Sequence, residues 1–186
     1  MAATFFWCED NGAATGSPAV GTVRSGFGGD THYATDVNWK NVDDCTANSG
    51  TLFTAAPITA GNNSFTKYQY GKFSGSFTNI SSGLWSANTS GALATGLTLV
   101  GTVTSTYVTP STLANAALTT NFTPSVVIGS GLPVLFSISD PSTAGPTSTL
   151  SVAGYTQYLA SQLQTNSGAA AGNTSPITST LQYYEN

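Results

Sequence analysis

From Thr51 to Asn186 the chain is a succession of β-branched and aromatic runs cut apart by clusters of Gly, Pro, Asn and Ser, and few folds accept that pattern. Such residues fit a pleated, half-buried surface, while the clusters supply turns. Leu97 to Tyr107 sets Leu97, Leu99, Val103 and Tyr107 on one face, and Thr98, Thr102, Thr104 and Thr106 with Val100 on the other. That is the two-residue period of a half-buried strand. Tyr155 to Thr165 predicts Tyr155, Leu159 and Leu163 inward, with Gln162 and Gln164 outward. Ile177 to Tyr183 predicts Ile177, Leu181 and Tyr183 inward, with Thr178, Thr180 and Gln182 outward. Between Phe65 and Ile80 the phase changes, because Tyr68 and Tyr70 are even and Phe73 and Phe77 odd. A bulge or tight turn at Gly71 accounts for the change.

Turn signals fall at Gly61-Asn62-Asn63, Ser81-Ser82-Gly83, Asn88 to Gly91, Asp140-Pro141 and Ala171-Gly172-Asn173, a spacing typical of antiparallel sandwiches. Only Thr112 to Leu118 offers a helical turn, and its Ser, Thr and Asn content competes for the backbone. The expected fold is all-β, an antiparallel β-sandwich of jelly-roll or immunoglobulin-like kind, spanning residues 51–186 with its strand order open. The first 50 residues differ in character. They hold six of the eight acids (Glu9, Asp10, Asp30, Asp36, Asp43, Asp44) and are rich in Gly and Asn, which predicts a loop-rich N-terminal arm.

Charged residues make up only 6% of the 186, and 53 positions carry a Thr or Ser hydroxyl instead. Four bases (Arg24, Lys40, Lys67, Lys72) and a net charge of -4 leave nothing to neutralise a run of phosphates, which excludes nucleic acid as a partner. An anionic membrane surface is disfavoured for the same reason. The apolar stretch Val126 to Ile138 is broken by Gly129, Ser130, Gly131 and Pro133, and is too short for a membrane helix. The start, Met1 to Asp10, has no base and meets acid at Glu9, unlike a secretory signal, so the expectation is cytoplasmic synthesis without export.

Enzymatic chemistry is poorly supplied. The one histidine, His32, lies in Asp30-Thr-His-Tyr-Ala-Thr-Asp36 with no nucleophile elbow around any serine, and reads better as a loop residue bonded to an acid. Outside the first 45 residues only Asp140 and Glu185 could serve as paired carboxylates, and Asp140 before Pro141 is the usual opening of a turn. Asp43-Asp44 lacks the further acids of a calcium loop, and two cysteines with one histidine make no zinc site. No catalytic residue, metal or cofactor is expected. The Asn-x-Ser/Thr triplets at Asn62, Asn79, Asn88, Asn121 and Asn173 are what chance gives in so hydroxyl-rich a chain.

Cys8 and Cys45 stand beside acids, which argues against a reactive thiolate. Two quiet thiols and a disulfide between them both fit the sequence. The chain carries 9 Phe, 8 Tyr and 3 Trp, more aromatics than one small sandwich buries. Trp7, Trp39, Trp85, Tyr68, Tyr70, Tyr183 and Tyr184 are therefore candidates for a protein interface or for stacking on sugar rings, with core packing as the competing role.

In the start at Met1, the hydroxyl-rich strands, the segment Ala60-Gly-Asn-Asn-Ser-Phe-Thr-Lys-Tyr-Gln-Tyr70 and the ending Ile177-Thr-Ser-Thr-Leu-Gln-Tyr-Tyr-Glu-Asn186, the chain resembles the small, nearly uncharged β-sandwich structural proteins of tailed bacteriophages. Capsid decoration and cement proteins are of this kind. The resemblance lies in style across most of the chain, and it transfers no functional residue. It implies a non-enzymatic virion protein that assembles with itself, as a trimer by analogy, and with the major capsid or other virion proteins. A glycan-binding or adhesion module of a phage fibre or a cell surface is the alternative.

Overall fold

The structure, a computed structural model, describes residues 2–27, 39–45, 55–89, 93–122, 131–171 and 177–186. Twelve strands are described: β1 Thr4–Thr15, β2 Val20–Ser25, β3 Lys67–Ser74, β4 Ile80–Thr89, β5 Leu97–Thr104, β6 Thr120–Asn121, β7 Leu132–Val134, β8 Phe136–Ser137, β9 Thr149–Leu150, β10 Gly154–Thr156, β11 Tyr158–Thr165 and β12 Ile177–Glu185. They form two antiparallel sheets. The larger runs β2-β1-β3-β11-β5-β6, with β10 joining β3 to β8, and the smaller runs β12-β4-β7, with β9 also on β4. The protein is an all-β antiparallel sandwich, as the alternating runs predict.

The two sheets meet over Trp85, Leu99, Phe122, Val134, Leu159 and Leu163, continued by Phe73, Ile80, Phe136 and Leu150. Leu97, Leu99 and Val103 enter this core from one face of β5, while Val100 packs on the opposite side, as the alternation requires. Leu181 and Tyr183 turn inward from β12 likewise. A Cβ on Gly101 would stand 2.6 Å from the Phe122 ring and 2.8 Å from Trp85, so the absence of a side chain there lets both rings seat against β5.

The larger sheet is buried on its outer face too. Cys8, Tyr68, Tyr70, Tyr107, Leu118, Tyr158 and Ala160 form a second core there, joined by Phe6, Phe27 and Tyr155. This second core explains several departures from the sequence reading. Tyr107 and Tyr155 belong to it rather than to the inter-sheet face. Tyr107 lies beyond the end of β5, and Tyr155 precedes the break at Gln157 between β10 and β11, so neither keeps the phase of its run. The phase change in β3 is no bulge, since β1 and β3 pair without interruption from Thr4↔Ser74 to Asp10↔Tyr68. Tyr68 and Tyr70 face the outer core and Phe73 the inner one. Gly71 is needed for space, because a Cβ there would lie 2.5 Å from the Phe5 ring.

The expected loop-rich arm is strand over Thr4–Ser25, where β1 and β2 form a hairpin and β1 takes a place inside the larger sheet. The run Phe5-Phe-Trp-Cys8 does not alternate because both of its faces are covered. Ser81-Ser82-Gly83 is likewise no turn: it lies within β4, where Ser82 takes φ 55° and the register against β12 shifts between Gln182 and Tyr184. Thr112 to Leu118 forms a turn closed by Leu118 N–H to the Asn115 carbonyl, and the Asn115 side chain accepts from Ala117 N–H. Residues 28–38, including His32, lie outside the described residues, as does the expected turn at Gly172-Asn173.

Candidate functional site

The seven aromatics singled out in the sequence do not share a surface. Trp85 is buried against Phe122 with ring centroids 4.8 Å apart, and its Nε1 donates to Ser179 Oγ at 2.7 Å. Tyr68 and Tyr70 are core residues of the outer face. These three rings are packed in the interior. Trp7 and Trp39 are half-buried against the inter-sheet core, and Trp39 Nε1 donates to Ser161 Oγ at 3.1 Å. Tyr183 packs edge-on against Phe73 at 4.9 Å. Tyr184 alone of the seven is largely exposed, at 71%. It lies on β12, the edge strand of the smaller sheet, where Thr178 is also exposed and Thr180 and Gln182 are half-buried. Cys8 is buried and Cys45 half-buried, and no disulfide joins them.

The chemistry that the sequence did not disclose lies on β1, where consecutive acids point to opposite faces of the larger sheet. On the outer face Asp10 accepts from Arg24 Nε at 3.0 and 2.9 Å, from Tyr158 Oη at 2.6 Å and from Gly21 N–H at 3.4 Å. The Arg24 guanidinium reaches on to Asp140, with Nη1 2.7 Å from Oδ2, and lies over the Phe27 ring at 3.6 Å. Asp140 also accepts from the Ser142 backbone and hydroxyl, so it opens the turn predicted for it while closing an ion-pair chain. Burial raises the Asp10 pKa against the opposing pull of Arg24. For Asp140 burial pushes the same way, but the hydrogen bonds from Arg24 and Ser142 prevail and its pKa is lowered.

On the inner face Glu9 is matched by Lys67, whose Nζ lies 3.0 Å from Oε1. Asn11 Nδ2 donates to the same Oε1 at 2.8 Å and to Asp43 Oδ1 at 2.9 Å. Lys67 Nζ also donates to the Asp44 carbonyl at 2.6 Å, Gly12 N–H to Asp43 Oδ2 at 2.7 Å, and Lys40 pairs with the Asp44 carboxylate. Residues 39–44 thus close over the Glu9 end of this face. Burial raises the Glu9 pKa, opposed chiefly by the Lys67 charge. The side-chain exposures are 1% for Glu9, 0% for Asp10, 1% for Lys40 and 1% for Lys67. Ion pairs this deep are costly to desolvate and persist only when fully paired.

A second buried polar device holds the loop beyond β5. Gln162, predicted to face solvent, is fully buried, and its Nε2 donates to the carbonyls of Ser64, Ser111 and Leu113. The alternation of β11 failed here because loop carbonyls, rather than solvent, meet its outer face. Among the described residues no three His, Cys, Asp or Glu side chains converge as a metal site would need, and no helix is long and apolar enough to cross a membrane. Comparison with protein-family models, with curated proteins and with solved structures finds no match.

Proposed function

We propose that this chain is a non-enzymatic structural protein of a virion, a capsid decoration or cement protein that assembles with itself and with the shell. The observation that carries the reading is the placing of charge. In a chain that is only 6% charged, Glu9, Asp10, Lys40 and Lys67 are turned into the interior, which leaves the outside dominated by hydroxyls, amides and scattered apolar groups. Interface cores are depleted in charge, because a charge is costly to desolvate while Thr, Ser and Asn bond across a contact at any salt concentration. The edge strand β12 supports the same reading. None of its residues, Ile177 to Glu185, is a lysine or proline of the kind that blunts an edge against pairing. The proposed homo-oligomer, a trimer by analogy, and its virion location rest on this reading. The sugar-stacking alternative keeps one largely exposed ring, Tyr184.

Quantitative mass spectrometry of purified particles tests the proposal. Chymotrypsin is the protease to use, since the last basic residue is Lys72 and trypsin leaves residues 73–186 as one peptide. A copy number comparable to the major shell protein is expected for a decoration protein. Absence from particles overturns the virion reading.

A further inference from the structure

The inner cluster on β1 has a composition that an ion pair alone does not require: an amine, a carboxylic acid and a primary amide on one buried oxygen. Lys67 Nζ lies 3.0 Å and Asn11 Nδ2 2.8 Å from Glu9 Oε1. The ladder of β1 and β3 pairs Glu9 with Gln69 and ends at Asp10 opposite Tyr68, with Asn11 and Lys67 the next residues beyond it on the two strands. Asn11 Oδ1 is buried and accepts no hydrogen bond, so only the nitrogen end of the amide is held.

We propose that Lys67 and Asn11 are the site of an autocatalytic intramolecular isopeptide bond, with Glu9 as the proton carrier. Glu9 Oε1 takes a proton from the Lys67 ammonium, leaving a neutral amine beside the amide. The Nζ lone pair bonds to Asn11 Cγ and opens the carbonyl to a tetrahedral oxyanion. Glu9 delivers its proton to Nδ2 and takes one from Nζ. The carbonyl re-forms as the Cγ–Nδ2 bond breaks, and Nδ2 departs as ammonia. The product is a secondary amide joining β1 to β3, with Glu9 left protonated. Nothing is oxidised or reduced, and no co-reactant is consumed.

The surroundings favour the proton transfers. Burial favours the protonated form of the Glu9 carboxyl, in keeping with its raised pKa. One oxygen already touches both the nucleophile and the leaving nitrogen, so the proton moves without rearrangement of the strands. Asp43 Oδ1, 2.9 Å from Nδ2, steadies the leaving group, and the Asp44 carbonyl, 2.6 Å from Nζ, holds the amine. The bond would lock the N-terminal strand into the sheet, and it does not depend on the virion assignment.

Intact mass and a tryptic map of the purified full chain decide the matter. The expected mass deficit is one ammonia, about 17 Da. Trypsin is then blocked at Lys67, and residues 1–24 emerge joined to residues 41–72. In Glu9→Gln, which keeps the size and polarity of the side chain but removes the carboxylic acid, the deficit is expected to vanish and residues 1–24, 41–67 and 68–72 to separate. The proposal is overturned by separate wild-type peptides carrying their full mass. It is equally overturned by a loss of about 18 Da, which would place the lysine on a carboxylate instead, or by a Glu9→Gln chain that is linked as completely as the wild type.

Discussion

Two ion-pair clusters sit back to back on adjacent residues of β1, and they are built differently. The outer one uses an arginine, whose fork bonds Asp10 and Asp140 together and stacks on Phe27, with side chains 15% and 18% exposed at the Arg24–Asp140 end. The inner one uses a lysine, with Glu9 and Lys67 both 1% exposed and an amide on the same carboxylate oxygen. Arginine's planar fork suits a structural clamp, whereas a lysine amine carries the nitrogen nucleophile of covalent chemistry. The difference separates the cluster that holds the β1–β2 hairpin from the cluster with the makings of a reaction.

The comparison breaks most visibly at Arg24. Arg24→Ala removes the cation from two acids, one of them fully buried, and is expected to cost about 3–5 kcal/mol in denaturant unfolding. A loss as small as that of an exposed ion pair would show that the outer cluster is not a clamp. The inner face can be tested away from its charges. Gly71→Ala drives a methyl to within 2.5 Å of the Phe5 ring and should cost about 1–3 kcal/mol, measured in the same way.

Acid titration sharpens the contrast further. A carboxyl whose folded pKa is raised contributes stability below its ordinary value, and that contribution is lost as pH rises through the folded pKa. Glu9, ordinarily 4.5, and Asp10, ordinarily 3.8, therefore favour the fold in acid, while Asp140, whose pKa is lowered, loses its contribution as pH falls. Glu9→Gln should flatten the decline in stability from pH 4.5 upward, read as thermal midpoints across pH, whereas an unchanged slope would assign that decline to other groups. The smallest effect belongs to the exposed edge. Tyr184→Ala should change monomer stability by no more than about 0.5 kcal/mol, yet lower the mass of any assembly seen by light scattering.

Some of this was legible in the residues and some was not, for physical reasons. β5 showed itself because Leu97, Leu99 and Val103 meet another sheet while Thr98, Thr102 and Thr104 keep the other face partly polar. β1 did not, because a strand covered on both faces has no period, and because Glu9-Asp10 reads as solvent-facing until Lys67 and Arg24 are placed beside it. Lys67 lies 58 residues from Glu9 in sequence, and Arg24 reaches Asp10 only through the hairpin register Asp10↔Arg24. Gln162 failed similarly, since its partners are the carbonyls of residues 64, 111 and 113. Aromatic abundance pointed outward, whereas a second core on the outer face absorbs Tyr68, Tyr70, Tyr107 and Tyr158.

The central claim is that β1 is an inner strand of the larger sheet, neutralised on both faces, and amide hydrogen exchange with peptic fragments tests it most directly. The account predicts that amides of Phe5 to Asp10 exchange as slowly as those of Tyr68 to Phe73, their ladder partners. Rapid exchange over Phe5 to Asp10 alongside slow exchange in β3 and β11 would contradict it, leaving the first strand as the loop-rich arm its acids suggest.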